Sequence, residues 1–132
     1  MRANCSRGND LLTIEEFIYQ AGSRLREGDF LRPDSVLPAI DDCRESLERT
    51  AEELEQNPSP RGLEALDEAT FEALNLLAEA LDLLELAVED EVPELAPEIL
   101  VRAQDGRETL REVRRLSQTH REQIQEEFGW RG

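Results

Sequence analysis

The chain reads as an all-α, antiparallel up-down four-helix bundle, and three observations predict it. Apolar residues recur every three to four positions in four separate segments. Those segments are divided by short breaker clusters rich in Gly and Pro. Nowhere do apolar and polar residues alternate at the period of two that a half-buried strand requires. Short joins favour sequence neighbours lying side by side, which gives the up-down topology. A chain of 132 residues suits one domain, here a bundle over 11–132 preceded by a short, polar, flexible N-terminal leader over 1–10.

The first helix is expected from about Thr13 to Glu27. Thr13 followed by Glu16 spells a capping box, in which each side chain satisfies a backbone N–H of the other residue. Ile14, Phe17, Ile18, Ala21 and Leu25 follow at helical spacing, and Gly28 suits a C′ residue. The second helix is expected from about Asp34 to Asn57, with Asp34 or Ser35 as N-cap and Pro38 tolerated only in the first turn. Val36, Ile40, Cys43, Leu47, Thr50, Ala51 and Leu54 form its stripe, and the cluster from Asn57 to Gly62 breaks it.

The third helix, about Leu63 to Glu89, is the apolar heart of the chain. Leu66, Ala73, Leu76, Leu77, Ala80, Leu81, Leu83, Leu84, Ala87 and Val88 cover roughly half of its circumference. So wide an arc needs two or more packing partners. Two prolines, Pro93 and Pro97, punctuate the next join, and the fourth helix runs from about Pro97 or Glu98 to Phe128. Its stripe, Ile99, Ala103, Gly106, Leu110, Val113, Ser117, Ile124 and Phe128, is thinned by Gly106 and Ser117, each marking a close helix approach or a kink. Leu47, Leu77, Leu81 and Leu110 are expected in the core.

Charge narrows the function classes. The net charge is −16, and all fifteen basic residues are Arg, as in a high-GC genome or in adaptation to high salt. Residues 34–98 hold the excess acid, whereas 1–33 are neutral overall and 99–132 carry a net +1. Such acidity argues against nucleic acid and anionic membrane as partners. No apolar run approaches the roughly 20 residues of a membrane span, and the first residues lack the apolar core of a signal peptide. Cys5 and Cys43 form no disulfide framework, so a reducing, cytoplasmic home is expected, with Cys43 a small buried hydrophobe.

Catalytic patterns are missing. His120 sits beside the fourth stripe with no motif tying it to a nucleophile or acid. Carboxylate pairs such as Glu68/Glu72 and Glu85/Glu89 lie on solvated faces, and Ser117 stands where a Glu-x-x-His metal motif would need Glu. No phosphate loop, GxSxG, HExxH or EF-hand loop occurs. The expectation is therefore no enzyme, no metal and no cofactor. The chain is expected to be an acidic helical protein-interaction module, an adaptor or small chaperone-like protein, with an acidic inhibitor or immunity-type protein that neutralises a basic target as the alternative.

Two groups of residues follow from this reading. Arg107, Arg111 and Arg114 share one side of the fourth helix and are expected to form an ion-pair stripe with the acidic central helices. Leu76, Leu83 and Ala87 lie along the surplus margin of the third helix, with Leu86 further round among acids, and Trp130 stands past the fourth as an aromatic anchor, which together form the candidate interface. The first helix is too short to cover that margin, which predicts a homodimer about a two-fold axis.

Overall fold

The computed structural model describes the backbone of residues 7–127 and the side chains of residues 11–119. Helix α1 spans Arg7–Arg26, α2 Pro33–Gln56, α3 Glu64–Glu89 and α4 Ala96–Glu127, with a 3-10 turn at Pro93–Leu95 leading into α4. Among the described residues there is no strand.

α1 starts earlier than the sequence predicts. Residues 7–10, expected in the leader, are helical, and Thr13 stands within the helix instead of at its N-cap. Leu11 supplies the reason. It is buried, it extends the stripe of Ile14, Ile18, Ala21 and Leu25 by one turn, and tertiary burial outweighs a local capping preference. The far end behaves as expected. Gly28 takes φ +91°, its N–H donates to the Leu25 carbonyl at 3.0 Å, and the Asp29 N–H donates to the Arg24 carbonyl at 2.9 Å. These two bonds make a Schellman cap.

α2 begins at Pro33, so Arg32 is the N-cap residue, with no side-chain cap hydrogen bond. Asp34 and Ser35, expected as caps, lie in the first turn, because proline pre-sets the helical φ one residue earlier. The loop after α2 is held from α3: Asp67 accepts the Ser59 N–H at 3.0 Å and the Ser59 hydroxyl at 2.7 Å.

α3 is the hub. It packs against α1, α2 and α4, while α2 and α4 face each other across the bundle without contact among the described residues. This arrangement absorbs the wide apolar arc: Ala73, Leu74, Leu77, Ala80, Leu81, Leu84, Ala87 and Val88 are all buried. Leu47 and Leu110 are buried with them, as expected. Thr70, buried in the same stripe, satisfies its hydroxyl by donating to the Leu66 carbonyl at 2.9 Å.

Neighbouring helices run antiparallel, as their contacts show. Gly22 meets Ile99 and Leu100, whereas Glu15, earlier in α1, meets Arg107, later in α4. Likewise Gly106 meets Leu77 while Arg102 meets Glu79. Ser59, just after α2, meets Asp67 near the start of α3, whereas Arg44, midway along α2, reaches Asp82 and Glu85 towards the end of α3. Gly106 therefore marks close approach: a Cβ there would lie 3.0 Å from Leu77 Cδ2. Gly22 does the same against α1's neighbour, 3.0 Å from Leu100 Cδ2 and 3.1 Å from Ile99 Cγ2.

Two exchanges between glycine and a side chain should move stability in opposite directions. Gly22→Ala gains about 1 kcal/mol of helix propensity, but the new methyl drives into buried Ile99 and Leu100, which costs roughly 1–3 kcal/mol. Chemical denaturation should show a net loss. Glu91 closes α3 at φ +52°, a left-handed conformation costing an L-residue roughly 1 kcal/mol or more. Glu91→Gly should therefore stabilise by about 1 kcal/mol in the same assay.

Candidate functional site

The register of α3 and α4 lays out one long margin on the outside of the bundle. Near its middle, Ala69, Glu72 and Leu76 of α3 face Asp105, Glu108, Thr109 and Glu112 of α4 across a shallow groove of about 360 Å³. Leu76 is half-buried and supplies its apolar floor. Four carboxylates surround that floor. Arg115, one turn on, forks onto Glu112 and holds its carboxyl below the ordinary range. Glu108 accepts one hydrogen bond from Gln104 at 3.2 Å. The side chains of Glu72 and Asp105 have no partner among the described residues.

Leu83 is half-buried, Leu86 is 44% exposed and Val101 of α4 is 52% exposed. One ion pair links the two helices. Arg102 Nε lies 3.0 Å from the Glu79 carboxylate but is out of line for a hydrogen bond.

The residues expected from sequence divide between this margin and the interior. Leu76, Leu83 and Leu86 lie on it. Ala87, expected beside them, is 2% exposed and belongs to the core, on the side of α3 near Leu25, Leu31 and Pro93. Trp130 lies outside the described residues, as does the His120 side chain.

The expected arginine stripe is redistributed. Arg107 pairs with α1, not with the acidic central helices: its Nε donates to Glu15 Oε2 at 2.9 Å, and its Nη2 lies 2.7 Å from the same oxygen. Glu15 is 4% exposed, and the Arg107 guanidinium also lies 4.9 Å from the Tyr19 ring centroid. The paired carboxylate raises the Arg107 pKa further. Arg111 and Arg114 are exposed and make no ion pair among the described residues. The α2–α3 contact instead rests on Arg44, whose Nη2 reaches Asp82 and Glu85 at 2.7 Å each. These two carboxylates push its pKa up against the opposing effect of burial. The signal for it was present: Arg44 directly follows Cys43, at the edge of the α2 stripe.

Other chemistry is sparse among the described residues. No group of three or more His, Cys, Asp and Glu side chains is placed to hold a metal ion. Burial, with help from Asp42, pushes the Cys43 thiol up to about 11, so it stays protonated at neutral pH. A second cavity, about 290 Å³, opens beside Leu25, Leu31, Val88 and Pro93, with Phe30 exposed at its lip. Among the described residues no helix is long and apolar enough to cross a membrane.

The buried pair makes a sharp prediction. Arg107→Ala leaves the Glu15 carboxylate buried without its cation, and urea denaturation should show a loss of roughly 3 kcal/mol. Adding Glu15→Gln should recover much of that loss, since no uncompensated charge then remains inside. Additive effects of the two substitutions would mean that they act independently.

The chain matches no known protein-family model, no characterised protein and no solved structure, so its reading rests on this geometry alone.

Proposed function

We propose that the chain is a non-enzymatic, acidic helical interaction module of the adaptor or small-chaperone kind, and that it meets its partner through the α3–α4 margin. One observation carries the reading. The two helices that line a groove whose carboxylates outnumber its cations also expose Leu86 and Val101 to solvent. Exposed apolar residues beside a polar rim are the usual composition of a protein-binding surface. Leu83 packs partly against the core, while Leu86 and Val101 stay outside it. A reducing, cytoplasmic setting belongs to the same reading and agrees with the free, protonated thiol of Cys43.

A partner of opposite charge suits the margin better than a second copy. A two-fold contact sets like residues near like, and here that gathers Glu72, Asp105, Glu108 and Glu112 of both chains around one seam. The longer α1 also helps to cover α3, which removes much of the reason for a dimer. The inhibitor or immunity-type alternative is a special case of the same reading, set apart by whether binding silences the partner's activity.

Photo-crosslinking tests the proposal. A photoreactive amino acid in place of Leu83 should give an adduct with another protein in cells, and one in place of Glu48 on the exposed face of α2 should not. Equal adducts from both positions, or none from Leu76 or Leu83, would refute the margin as the binding surface. Light scattering after size exclusion should give a mass near the 15.1 kDa of one chain at low and high salt. A doubled mass that grows with salt would restore the homodimer.

A further inference from the structure

We infer that the cavity between the α1–α2 and α3–α4 joins is a binding site for a small organic cation, an ammonium carried on a compact apolar ring. The site shares no lining residue with the groove around Leu76 and lies apart from the proposed interaction surface. Its walls follow from two matching helix ends. α1 closes around Gly28, with the Asp29 N–H donating to the Arg24 carbonyl at 2.9 Å. α3 closes around Glu91, with the Val92 N–H donating to the Ala87 carbonyl at 3.0 Å. Each cap turns the chain away from its helix axis, and Gly28 and Glu91 both line the space between them.

Volume and polarity select the ligand. The space is about 290 Å³, and a cavity of about 150 Å³ already holds benzene. A six-membered ring with a short amine arm therefore fits. Buried Leu25, Leu31, Ala87 and Val88 give the ring an apolar floor. At the mouth Phe30 is 69% exposed, the most open of the large apolar residues described, and a bound ring covers it.

The charge at the mouth is negative. Exposed Asp29 and Glu91 line the cavity, and no arginine does. Arg24 lies 3.5 Å from Asp29, but both side chains are more than half exposed, so that pair is weak. Glu91 has no partner among the described residues, and the sequence holds no basic residue between Arg61 and Arg102. Its backbone adds a second argument. At φ +52° Glu91 occupies the left-handed conformation that α1 gives to a glycine, so its carboxylate stands there at a cost to stability. An ammonium at the mouth is attracted by both carboxylates and by the face of Phe30. A neutral ring gains the floor alone, and an anionic one meets like charge.

Titrating phenethylammonium into the isotope-labelled protein, followed by amide NMR, tests the site. Saturable shifts are expected at residues 28–31 and 87–91. Phenethyl alcohol, the neutral analogue, should bind about fivefold more weakly, and phenylpropanoate should give no saturable shift. Glu91→Gln should weaken the ammonium about threefold and leave the alcohol unchanged. Glu91→Gly, expected to be the more stable chain, should lose the same affinity, which separates loss of the carboxylate from loss of the fold. Glu48→Gln, which removes one charge from the exposed face of α2, should change neither ligand. Equal affinity for ammonium and alcohol, equal weakening by the substitutions at 91 and 48, or no saturable shift from the ammonium would each overturn the proposal.

Discussion

The bundle depends on how closely α4 lies against α1 and α3. α4 has few large apolar residues on its inner face, so wide contact cannot come from its own side chains. It comes from the absence of a side chain at Gly106, which lets fully buried Leu77 rest on the α4 backbone. Gly22 does the reverse service, letting Ile99 and Leu100 of α4 rest on α1. The same proximity carries Arg107 to Glu15 and Arg102 to Glu79. It also brings the outer edges of α3 and α4 face to face, and the acidic groove follows directly from that.

Charge in this chain has two separable roles. Some carboxylates hold helices together: Glu15 with Arg107, and Asp82 and Glu85 with Arg44. In the first of these pairs the carboxylate is buried although Arg107 stays 32% exposed, and loss of the cation is costly there. The second is partly exposed and contributes less to stability, but it selects which faces of α2 and α3 meet. Other carboxylates serve no contact within the described fold. Glu72 and Asp105 belong to that second group, and they stand where the apolar floor of the groove is open.

Much of the fold was legible in the sequence because periodic burial and backbone punctuation are local signals. Gly28 marked a left-handed cap and became one, and the stripe containing Leu77 and Leu81 gave the α3 phase correctly. Thr13 misled because a capping motif is a weak local preference, whereas Leu11 gains its burial from helices distant in sequence. Gly106 left two outcomes open, since only the position of Leu77 decides between approach and kink. The margin itself was half legible. Leu76 and Leu83 stood out on the α3 wheel, but Asp105 and Glu108 join Leu76 only through the α3–α4 register. Arginine pairing was least legible, because a long side chain can reach several helices, and Arg107 reached α1.

The central claim is that the groove carboxylates serve a partner and not the fold. The melting temperature of the triple variant Glu72→Gln, Asp105→Asn and Glu108→Gln, measured against the parent in low and high salt, tests it most directly. If these acids only repel one another in the free protein, the variant melts higher at low salt, and the gap closes as salt screens the charges. A variant that melts lower than the parent at either salt would show that the same carboxylates hold the bundle together, and would contradict the account.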